Sequence, residues 1–358
     1  MAEHNVAFVG TGPEPENPVW GESAAMAYQH APGYAALENC SLVACADLVE
    51  ENALAFAEEF DIPESGVFED YEAMLAAAEP DIVSVCTPVP THAPIVLDLV
   101  ESGVPDAIHC EKPMATTWDD ARLMAQEADR ADVQLTFNHQ RRFEPRWRRP
   151  KELLDDGEIG ELQRVEVAAK TLLDNATHFL DLANCYADEA RIEWVLGALD
   201  YREEHVKYGA HNANQTLVQW AYESGVTGLA ATGHGQDLVG AANRLVGDGG
   251  VIEVNPHGAD AAARIRRAGD DEWQEIDVSV EGWQGSIPAA IEHVVDCLDE
   301  GREPELSARR ALSVTELIFG AYESARRRGR VEFPLREGGN ALEEMVEAGE
   351  LTPEPADD

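Results

Sequence analysis

The stretch Val6-Ala7-Phe8-Val9-Gly10-Thr11-Gly12 places four apolar residues directly before a turn that contains two glycines. An apolar run followed by Gly-x-Gly is typical of a buried strand that ends in a phosphate-binding turn. The third glycine of the usual pattern would fall at position 15, which is Pro15. We therefore interpret residues 13–20 as an insertion before the next helix.

Short apolar runs and helical patterns alternate through the first 137 residues. The predicted strands are 6–9, 42–46, 82–86, 107–110 and 133–137, and the predicted helices are 52–60, 71–78, 93–101 and 118–131. Continuous apolar strands separated by helices are typical of a parallel sheet that is covered on both faces. The sequence therefore predicts an α/β protein whose residues 1–137 form a doubly wound, dinucleotide-binding Rossmann domain.

The pattern changes after Arg141-Arg142-Phe143. Helices are predicted at 146–156, 176–186, 288–300 and 308–328, and strands with period-2 character at 162–168, 191–196, 216–222, 250–254 and 275–280. Such a series favours an α+β domain over residues 138–336, with a largely antiparallel sheet. Residues 337–358 are acidic and rich in proline near their end, which predicts a loosely held tail.

Composition limits the partners that this chain can have. Its 358 residues suit two domains, and its net charge of −43 would repel nucleic acid and anionic membranes. The acidic, lysine-poor surface resembles that of halophile proteins, in which concentrated salt screens the repulsion. No apolar run could span a membrane, residues 1–5 lack a signal-peptide pattern, and six cysteines form no CxxC pair, so we expect a cytoplasmic protein.

Lys112 stands out because the chain contains only four lysines, against 22 arginines and 69 acidic residues. It lies in Cys110-Glu111-Lys112-Pro113, directly after a predicted strand. A compact, titratable ammonium is not replaceable by a permanently charged planar guanidinium. This setting predicts a catalytic lysine at the edge of the sheet, and an ordinary surface lysine is the alternative.

Asp47 ends the predicted strand 42–46, 35 residues after Gly12. When the insertion is subtracted, this spacing is close to that of the carboxylate that binds the adenosine ribose in Rossmann domains. The same carboxylate would repel a 2′-phosphate, and no lysine or arginine lies between Asp47 and Lys112 to receive one. We therefore expect NAD as the cofactor, with NADP disfavoured; a solvated aspartate at a strand end is the alternative.

Thr87-Pro88 and Thr91-His92 follow the predicted strand 82–86. They would place a hydroxyl, a rigid turn and an imidazole beside the cofactor cleft. A strand-ending turn with a helix cap explains the same residues without a ligand.

Asp174, His178 and Asp181 share one face at the start of a predicted helix, because they are spaced by four and three residues. A carboxylate one turn from a histidine fixes its tautomer and raises its basicity, as a general base requires. A metal site is a competing interpretation, although no further ligand pair is evident. A third interpretation of these residues is a helix cap beside a half-buried histidine.

Taken together, these motifs resemble the Gfo/Idh/MocA family of oxidoreductases (glucose–fructose oxidoreductase, inositol dehydrogenase and rhizopine catabolism) over roughly residues 5 to 336. The resemblance is carried by Gly10-Thr11-Gly12, Asp47, Cys86-Thr87-Pro88, His92, Glu111-Lys112-Pro113, Arg141-Arg142-Phe143, Asp174-x3-His178-x2-Asp181, Ser324-Ala325-Arg326 and Val331-Glu332-Phe333-Pro334-Leu335. It implies a Rossmann domain followed by an α/β domain whose open sheet forms contacts between subunits, hence a homodimer or homotetramer.

The resemblance also implies that Lys112, Asp174 and His178 are catalytic and contact the substrate. We then expect NAD-dependent oxidation of a CH–OH group of a sugar, polyol or inositol, with His178 as base, Asp174 orienting it and Lys112 stabilising the oxygen. An NAD-retaining glycosidase or epimerase and a non-catalytic NAD or sugar sensor remain alternatives.

Four further positions follow from the same resemblance. Glu111 and Arg142 are expected to bind the cofactor, while Arg141 and Asp181 are expected to position the substrate. No metal is expected.

Overall fold

The structure, a computed structural model, describes residues 3–13, 25–278 and 285–355. Most of the inserted residues 13–20, together with Gly21, Glu22 and Ser23, lie outside the described residues. The chain forms two compact units. The N-terminal unit comprises Met1–Ala115, Ala121–Gln140 and Trp283–Arg309, and the C-terminal unit comprises Thr116–Asp120, Arg141–Gly282 and Arg310–Asp358.

The N-terminal unit contains a six-stranded parallel sheet in the order β3-β2-β1-β4-β5-β6. The strands are β1 (His4–Val9), β2 (Cys40–Ala46), β3 (Val67–Phe68), β4 (Ile82–Val85), β5 (Ala107–Cys110) and β6 (Gln134–Phe137). The helices up to this point are α1 (Ala27–Ala35), α2 (Glu50–Glu59), α3 (Tyr71–Ala78), α4 (His92–Ser102) and α5 (Trp118–Ala131). The predicted doubly wound Rossmann sheet is confirmed, and β3, too short to show periodicity, is the strand that the prediction lacks.

The C-terminal unit is built on a nine-stranded mixed sheet, whose order is β16-β15-β14-β13-β7-β12-β11-β8-β17. The strands from β7 on are β7 (Leu162–Ala169), β8 (Ile192–Asp200), β9 (Val206–Lys207), β10 (Ala210–His211), β11 (Gln215–Tyr222), β12 (Thr227–Thr232), β13 (Ala241–Gly247), β14 (Gly250–Pro256), β15 (Ala263–Arg267), β16 (Gln274–Glu275) and β17 (Val331–Glu332). Only the β7–β12 pair is parallel among the described pairs of this sheet, so the predicted, largely antiparallel sheet is confirmed. Strands β9 and β10 form a separate hairpin.

The remaining helices are α6 (Pro145–Asp155), α7 (Ala176–Tyr186), α8 (Ser286–Glu300), α9 (Ala308–Arg327) and α10 (Ala341–Glu347). Helix α7 packs on β7, α6 and β13. Its bounds match the predicted helix, and it carries His178, the residue that the sequence singled out as base.

Helix α8 belongs to the N-terminal unit, although the sequence predicted a continuous second domain from residue 138. It packs on α1, where Gly33 leaves room for it: a Cβ there would lie 2.7 Å from Cδ1 of Ile291. Ile287 and Ile291 are fully buried against Tyr34 in the core of this unit. Burying an isoleucine side chain contributes about 1.5–3 kcal/mol. Packing against the N-terminal core, rather than position in the sequence, therefore places α8 in this unit.

Two local predictions are wrong. The predicted strand 275–280 is reduced to β16, because residues 276–278 have no regular structure; residues 279 and 280 lie outside the described residues. The predicted loose tail contains α10, whose Ala341, Leu342 and Met345 are buried. Asn340 caps this helix by accepting a hydrogen bond from the Leu342 amide at 3.1 Å. The buried apolar residues of α10 thus hold this part of the acidic segment 337–358 against the protein.

Among the described residues, no helix is both long and apolar enough to cross a bilayer. All six cysteines are free thiols.

Candidate active site

The glycine turn lies at the carboxyl end of β1. Gly10 and Gly12 have φ values of +81° and +66°, which favour glycine. A Cβ on Gly10 would lie 2.5 Å from Cγ2 of Thr87, so no other residue fits there. The turn therefore has the glycine-dependent backbone conformation that is typical of a phosphate-binding loop, and it packs closely on Thr87.

Asp47 fixes this glycine turn. Its Oδ2 accepts hydrogen bonds from the amides of Thr11 and Gly12, each at 2.9 Å, and from the Thr11 hydroxyl at 3.2 Å. Its Oδ1 accepts one from the Val49 amide at 2.9 Å. Successive amides that converge on one oxygen form an anion-binding nest. Asp47 thus lies at the glycine turn, directly after β2, and its contact with a ribose stays a prediction.

His92 lies beneath two turns rather than in an open cleft. Its ring nitrogens lie 2.8 Å from the Thr87 carbonyl oxygen and 2.9 Å from that of Pro113. Burial lowers the pKa of His92, so the neutral ring donates to one of the two carbonyls at a time. The imidazole is fully buried and supports the turns that begin at Thr87 and end at Pro113.

Thr87 contributes a buried hydroxyl at the same edge of the sheet. Its Oγ1 has no hydrogen-bond partner among the described residues. A buried, unsatisfied hydroxyl costs about 1–3 kcal/mol, which favours a bound ligand at this position. The adjoining Pro88 is exposed.

Glu111 is the centre of a buried network that the sequence did not reveal. Its Oε1 accepts hydrogen bonds from His30 Nε2 at 2.9 Å and from Asn138 Nδ2 at 2.6 Å. Burial alone would raise the pKa of Glu111, but His30, Lys112 and Asn138 lower it to about 2. The carboxylate is therefore ionised, and its Oε2 also accepts a hydrogen bond from the Lys112 amide at 3.3 Å.

His30 completes this network from α1. Its Nδ1 lies 2.8 Å from Oγ of Ser84 and 3.5 Å from Sγ of Cys86. Burial opposes its charge, but Cys86 and Glu111 together raise the pKa of His30 to about 10. An imidazolium and a carboxylate thus face each other directly behind Lys112, which is itself half-buried between Glu111 and Pro113.

Asp174 and His178 both lie at the start of α7 in the C-terminal unit. Asp174 lies two residues before the helix, His178 lies in its first turn, and each is only 6% exposed. The Asp174 amide donates to Oδ1 of Asn212 at 3.1 Å, which fixes the chain before the helix. A carboxylate and a potential base are therefore both withheld from solvent at the start of α7.

Lys207 is the residue at this site that sequence reasoning missed. Its Nζ donates a hydrogen bond to Oδ2 of Asp174 at 2.8 Å and lies 4.9 Å from the centroid of the Tyr208 ring. Burial would lower the pKa of Lys207, but Asp174 raises it above its ordinary value, so the ammonium is retained. The scarcity of lysine in the chain was the one sequence feature that could have drawn attention to Lys207.

Arg142 and Asp181 lie together in a buried ion pair. The guanidinium binds Asp181 in a bidentate manner, Nε to Oδ2 at 2.7 Å and Nη2 to Oδ1 at 2.8 Å, and its Nη1 donates to Glu189 at 2.6 Å. Both side chains of the pair are 2% exposed. The sequence assigned them to cofactor and substrate respectively, whereas the structure engages them with each other because their opposite charges share one buried region.

Arg141 packs against aromatic rings. Its guanidinium carbon lies 4.8 Å from the centroid of the Phe179 ring and 5.8 Å from that of Trp147. Burial lowers its pKa, and its Nε has no hydrogen-bond partner among the described residues. Cation–π contacts of this kind hold the segment before α6 against α7.

Among the described residues, no group of three or more His, Cys, Asp and Glu side chains could hold a metal ion. Asp181, which the sequence analysis grouped with Asp174 and His178 as a possible metal site, forms an ion pair with Arg142.

Comparison with known families gives two matches that together span most of the chain. Residues 5–139 match an oxidoreductase family with an NAD-binding Rossmann fold, and residues 151–333 match the C-terminal alpha/beta domain of the same family.

Known relatives match at moderate identity. A D-apiose dehydrogenase of Paraburkholderia graminis is 27% identical over 330 residues, which cover 83% of this chain and 84% of the relative. An inositol 2-dehydrogenase of Rubrobacter xylanophilus is 28% identical over 277 residues, or 69% and 75% of the two chains.

A solved structure shows the same fold. It is an oxidoreductase from Agrobacterium radiobacter in complex with NAD+, L-tartaric acid and magnesium, with a TM-score of 0.75 and 19% identity over 92% of this chain and 98% of that chain.

Proposed function

Because this chain belongs to the Gfo/Idh/MocA oxidoreductase family, we propose that it catalyses NAD-dependent, reversible oxidation of a CH–OH group in a sugar, polyol or inositol. The observation that carries the proposal is the burial of Asp174 and His178 at the start of α7. A carboxylate four residues before a potential base, both withheld from water, suits proton transfer. A sensor that only binds a nucleotide or sugar has no need of such a pair.

The residues at the carboxyl ends of β1, β2 and β4 fit NAD. Gly10 has a positive φ and packs so closely on Thr87 that a Cβ would clash with it, and the Thr87 hydroxyl is buried without a partner among the described residues. Asp47 brings an acceptor oxygen to the same turn. We propose that Gly10 and Gly12 hold the pyrophosphate and that Asp47 binds the adenosine ribose.

NAD bound at these residues would supply the acceptor for the hydride that leaves the substrate carbon. His178 is proposed to remove the hydroxyl proton, and Asp174 to hold the imidazole in the required orientation. Lys112 is proposed to hydrogen-bond the same oxygen and to stabilise its developing negative charge. The ionised Glu111 network fixes the backbone at Lys112, which suits this role.

Arg142, Asp181 and Arg141 are proposed as positioning residues rather than ligand contacts. The Arg142–Asp181 pair joins the segment after β6 to α7, and Arg141 packs on Phe179 of the same helix. Both arrangements fix the helix that carries His178. Breaking a buried ion pair by removing one partner costs about 3–5 kcal/mol, so these residues matter even without touching substrate.

We further propose a homodimer or homotetramer in the cytoplasm, in concentrated salt. Leu196 and Leu217, on neighbouring strands of the large sheet, are 43% and 39% exposed, which suits a surface that another subunit covers. The net charge of −43 supports the need for salt, and six free thiols suit a reducing compartment.

The test is a screen of aldoses, polyols and inositols with NAD in molar KCl, followed by nicotinamide absorbance. Accumulation of NADH with at least one compound, and its loss in the His178→Asn variant, supports the dehydrogenase. Turnover of a sugar without accumulation would instead support an NAD-retaining glycosidase or epimerase. Binding of NAD and sugar with no turnover would contradict both enzymes.

A further inference from the structure

Of the four lysines in this chain, Lys112 is itself a proposed catalytic group and Lys207 contacts one. Lys112 follows Glu111, and Lys207 contacts Asp174 through Nζ and Oδ2 at 2.8 Å. Lys151 forms surface ion pairs with Asp155 and Asp188, while the Lys170 side chain is exposed. Most cations in this chain are arginines. A lysine that contacts a buried carboxylate is therefore expected to have a specific role rather than only to add surface charge.

The two side chains of the Lys207–Asp174 ion pair differ in their exposure to solvent. The side chain of Asp174 is 8% exposed and that of Lys207 is 45% exposed. A nearly buried carboxylate has lost most of its hydration, so a contacting cation stabilises its charged form. Lys207 is itself presented by the β9–β10 hairpin, with its ammonium near the face of the Tyr208 ring.

We propose that Lys207 is a positioning residue for the reaction: its ammonium fixes the Asp174 carboxylate, keeps it ionised and thereby sets the acid limit of proton transfer by His178. This inference rests on the proposed function. The positive charge acts twice in the same direction, because it disfavours protonation of Asp174 and also disfavours a positive charge on His178.

Other charges surround α7 but are engaged elsewhere. Asp181 is paired with Arg142, and His211 of the hairpin lies 2.7 Å from the Tyr201 hydroxyl. Most of the remaining charged side chains of the segments packed on α7 form other ion pairs: Arg164 and Arg244 with Glu166, Arg146 with Glu144, Arg149 with Glu152, and Lys151 with Asp155. Arg141 and Arg148 lie over the rings of Phe179 and Phe143. Lys207 donates a hydrogen bond to Asp174, so its removal changes the charge at Asp174 directly.

The activity test compares Lys207→Met, which removes the charge, with Lys207→Arg, which keeps it. We expect the acid limb of the kcat/KM profile to move to higher pH by roughly half to one unit in Lys207→Met, or about 3–10-fold at a fixed acidic pH. Lys207→Arg should restore the position of the limb. Lys151→Met, which removes a lysine from surface carboxylates, is the matched control and should leave the profile unchanged.

A second readout needs neither cofactor nor substrate. The histidine ring resonances of the ligand-free protein report the pKa of His178, once His178→Asn has identified its signal. We expect that pKa to rise by roughly half to one unit in Lys207→Met, because a neighbouring positive charge is lost. An unchanged His178 titration in this variant would overturn the inference, whatever the activity.

The two readouts separate the inference from the proposed function. If the wild type oxidises no sugar or polyol while Lys207→Met still shifts the His178 titration, the proposed reaction is refuted and the electrostatic link between Lys207 and His178 stands. If the wild type is active and both the titration and the acid limb are unchanged in Lys207→Met, the reaction stands and Lys207 has no positioning role.

Discussion

His30 Nε2 lies 2.9 Å from Oε1 of Glu111 inside the N-terminal unit, where the imidazole has no exposed surface. This contact joins α1 to the residue before Lys112. Since the pKa of His30 is raised to about 10 and that of Glu111 is lowered to about 2, both groups are charged across the neutral range. A buried pair of this kind makes stability depend on pH.

His30→Gln should lower the free energy of unfolding most between about pH 4.5 and 6.5. The raised pKa of His30 gives a contribution that is complete below its unfolded value of 6.5 and disappears as pH rises towards about 10. The lowered pKa of Glu111 gives one that is complete above 4.5 and disappears as pH falls towards about 2. We expect a loss of about 3–5 kcal/mol at pH 6, measured by urea unfolding in molar KCl.

The matched control is His257→Gln, which removes a partly exposed histidine 3.5 Å from Asp237. It should change stability by no more than about 0.5 kcal/mol at any pH. A His30→Gln variant whose loss of stability is the same at pH 6 and pH 10 would show that His30 is not charged in the folded protein.

Lys112→Arg should fold and bind NAD normally but lose about two to three orders of magnitude in kcat. The guanidinium keeps the positive charge, yet its planar fork places the donors differently and its proton is not released. Stopped-flow or steady-state NADH formation measures the loss, and fluorescence titration measures NAD binding. Lys151→Arg serves as control, and turnover near the wild-type value in Lys112→Arg would remove Lys112 from the mechanism.

His178→Asn should lose both most of the activity, by about 10²–10⁴-fold, and the pH dependence near neutrality. Asparagine retains polarity at the start of α7 but cannot accept the proton. The kcat/KM profile from pH 5 to 9 measures both effects, with His257→Asn as the control for a histidine elsewhere in the chain. A residual activity that follows the wild-type profile would identify a different base.

Asp47→Ser should weaken NAD binding and narrow the preference for NAD over NADP. The serine lacks the charge that opposes a 2′-phosphate, and it loses the carboxylate contacts to Thr11 and Gly12. We expect kcat/KM for NAD to fall at least about tenfold, since about 1.4 kcal/mol of binding energy corresponds to that factor. Equal or better use of NADP by the wild type would show that Asp47 does not bind the ribose.

Low salt should destabilise the protein because 43 uncompensated negative charges repel each other more strongly as screening weakens. The Debye length grows from about 3 Å at 1 M salt to about 30 Å at 0.01 M. We expect Tm and activity to fall together between molar KCl and dilute buffer. Choline chloride at equal ionic strength separates screening from specific binding of potassium, and an unchanged Tm across the series would refute salt dependence.

The fold was predictable where structure depends on local pattern. The buried strands β1, β2, β4, β5 and β6 carry continuous apolar runs, and the bounds of α7 follow from periodicity alone. The return of α8 to the N-terminal unit was not predictable, because it depends on the space that Gly33 leaves for Ile291, 258 residues further along the chain.

The candidate site was predictable only where its residues lie in short sequence motifs. The motifs around Gly10, Lys112 and His178 have recognisable spacings, whereas the groups that hold them come from distant segments. Lys207 lies 33 residues after Asp174 on a two-residue strand, and the partners Arg142 and Asp181 are 39 residues apart. No local pattern reports such pairings, since charge complementarity appears only once the chain has folded.

The buried imidazole of His92 has a practical meaning for anyone who wishes to redesign this protein. It lies between the carbonyls of Thr87 and Pro113, so a loop graft at either turn alters the acceptor geometry at the other. Transplanting one turn from a relative without its counterpart would leave the ring mismatched on one side. The two turns and His92 should therefore be exchanged together. Libraries that vary both turns jointly should give more folded chimaeras than libraries that vary one turn alone.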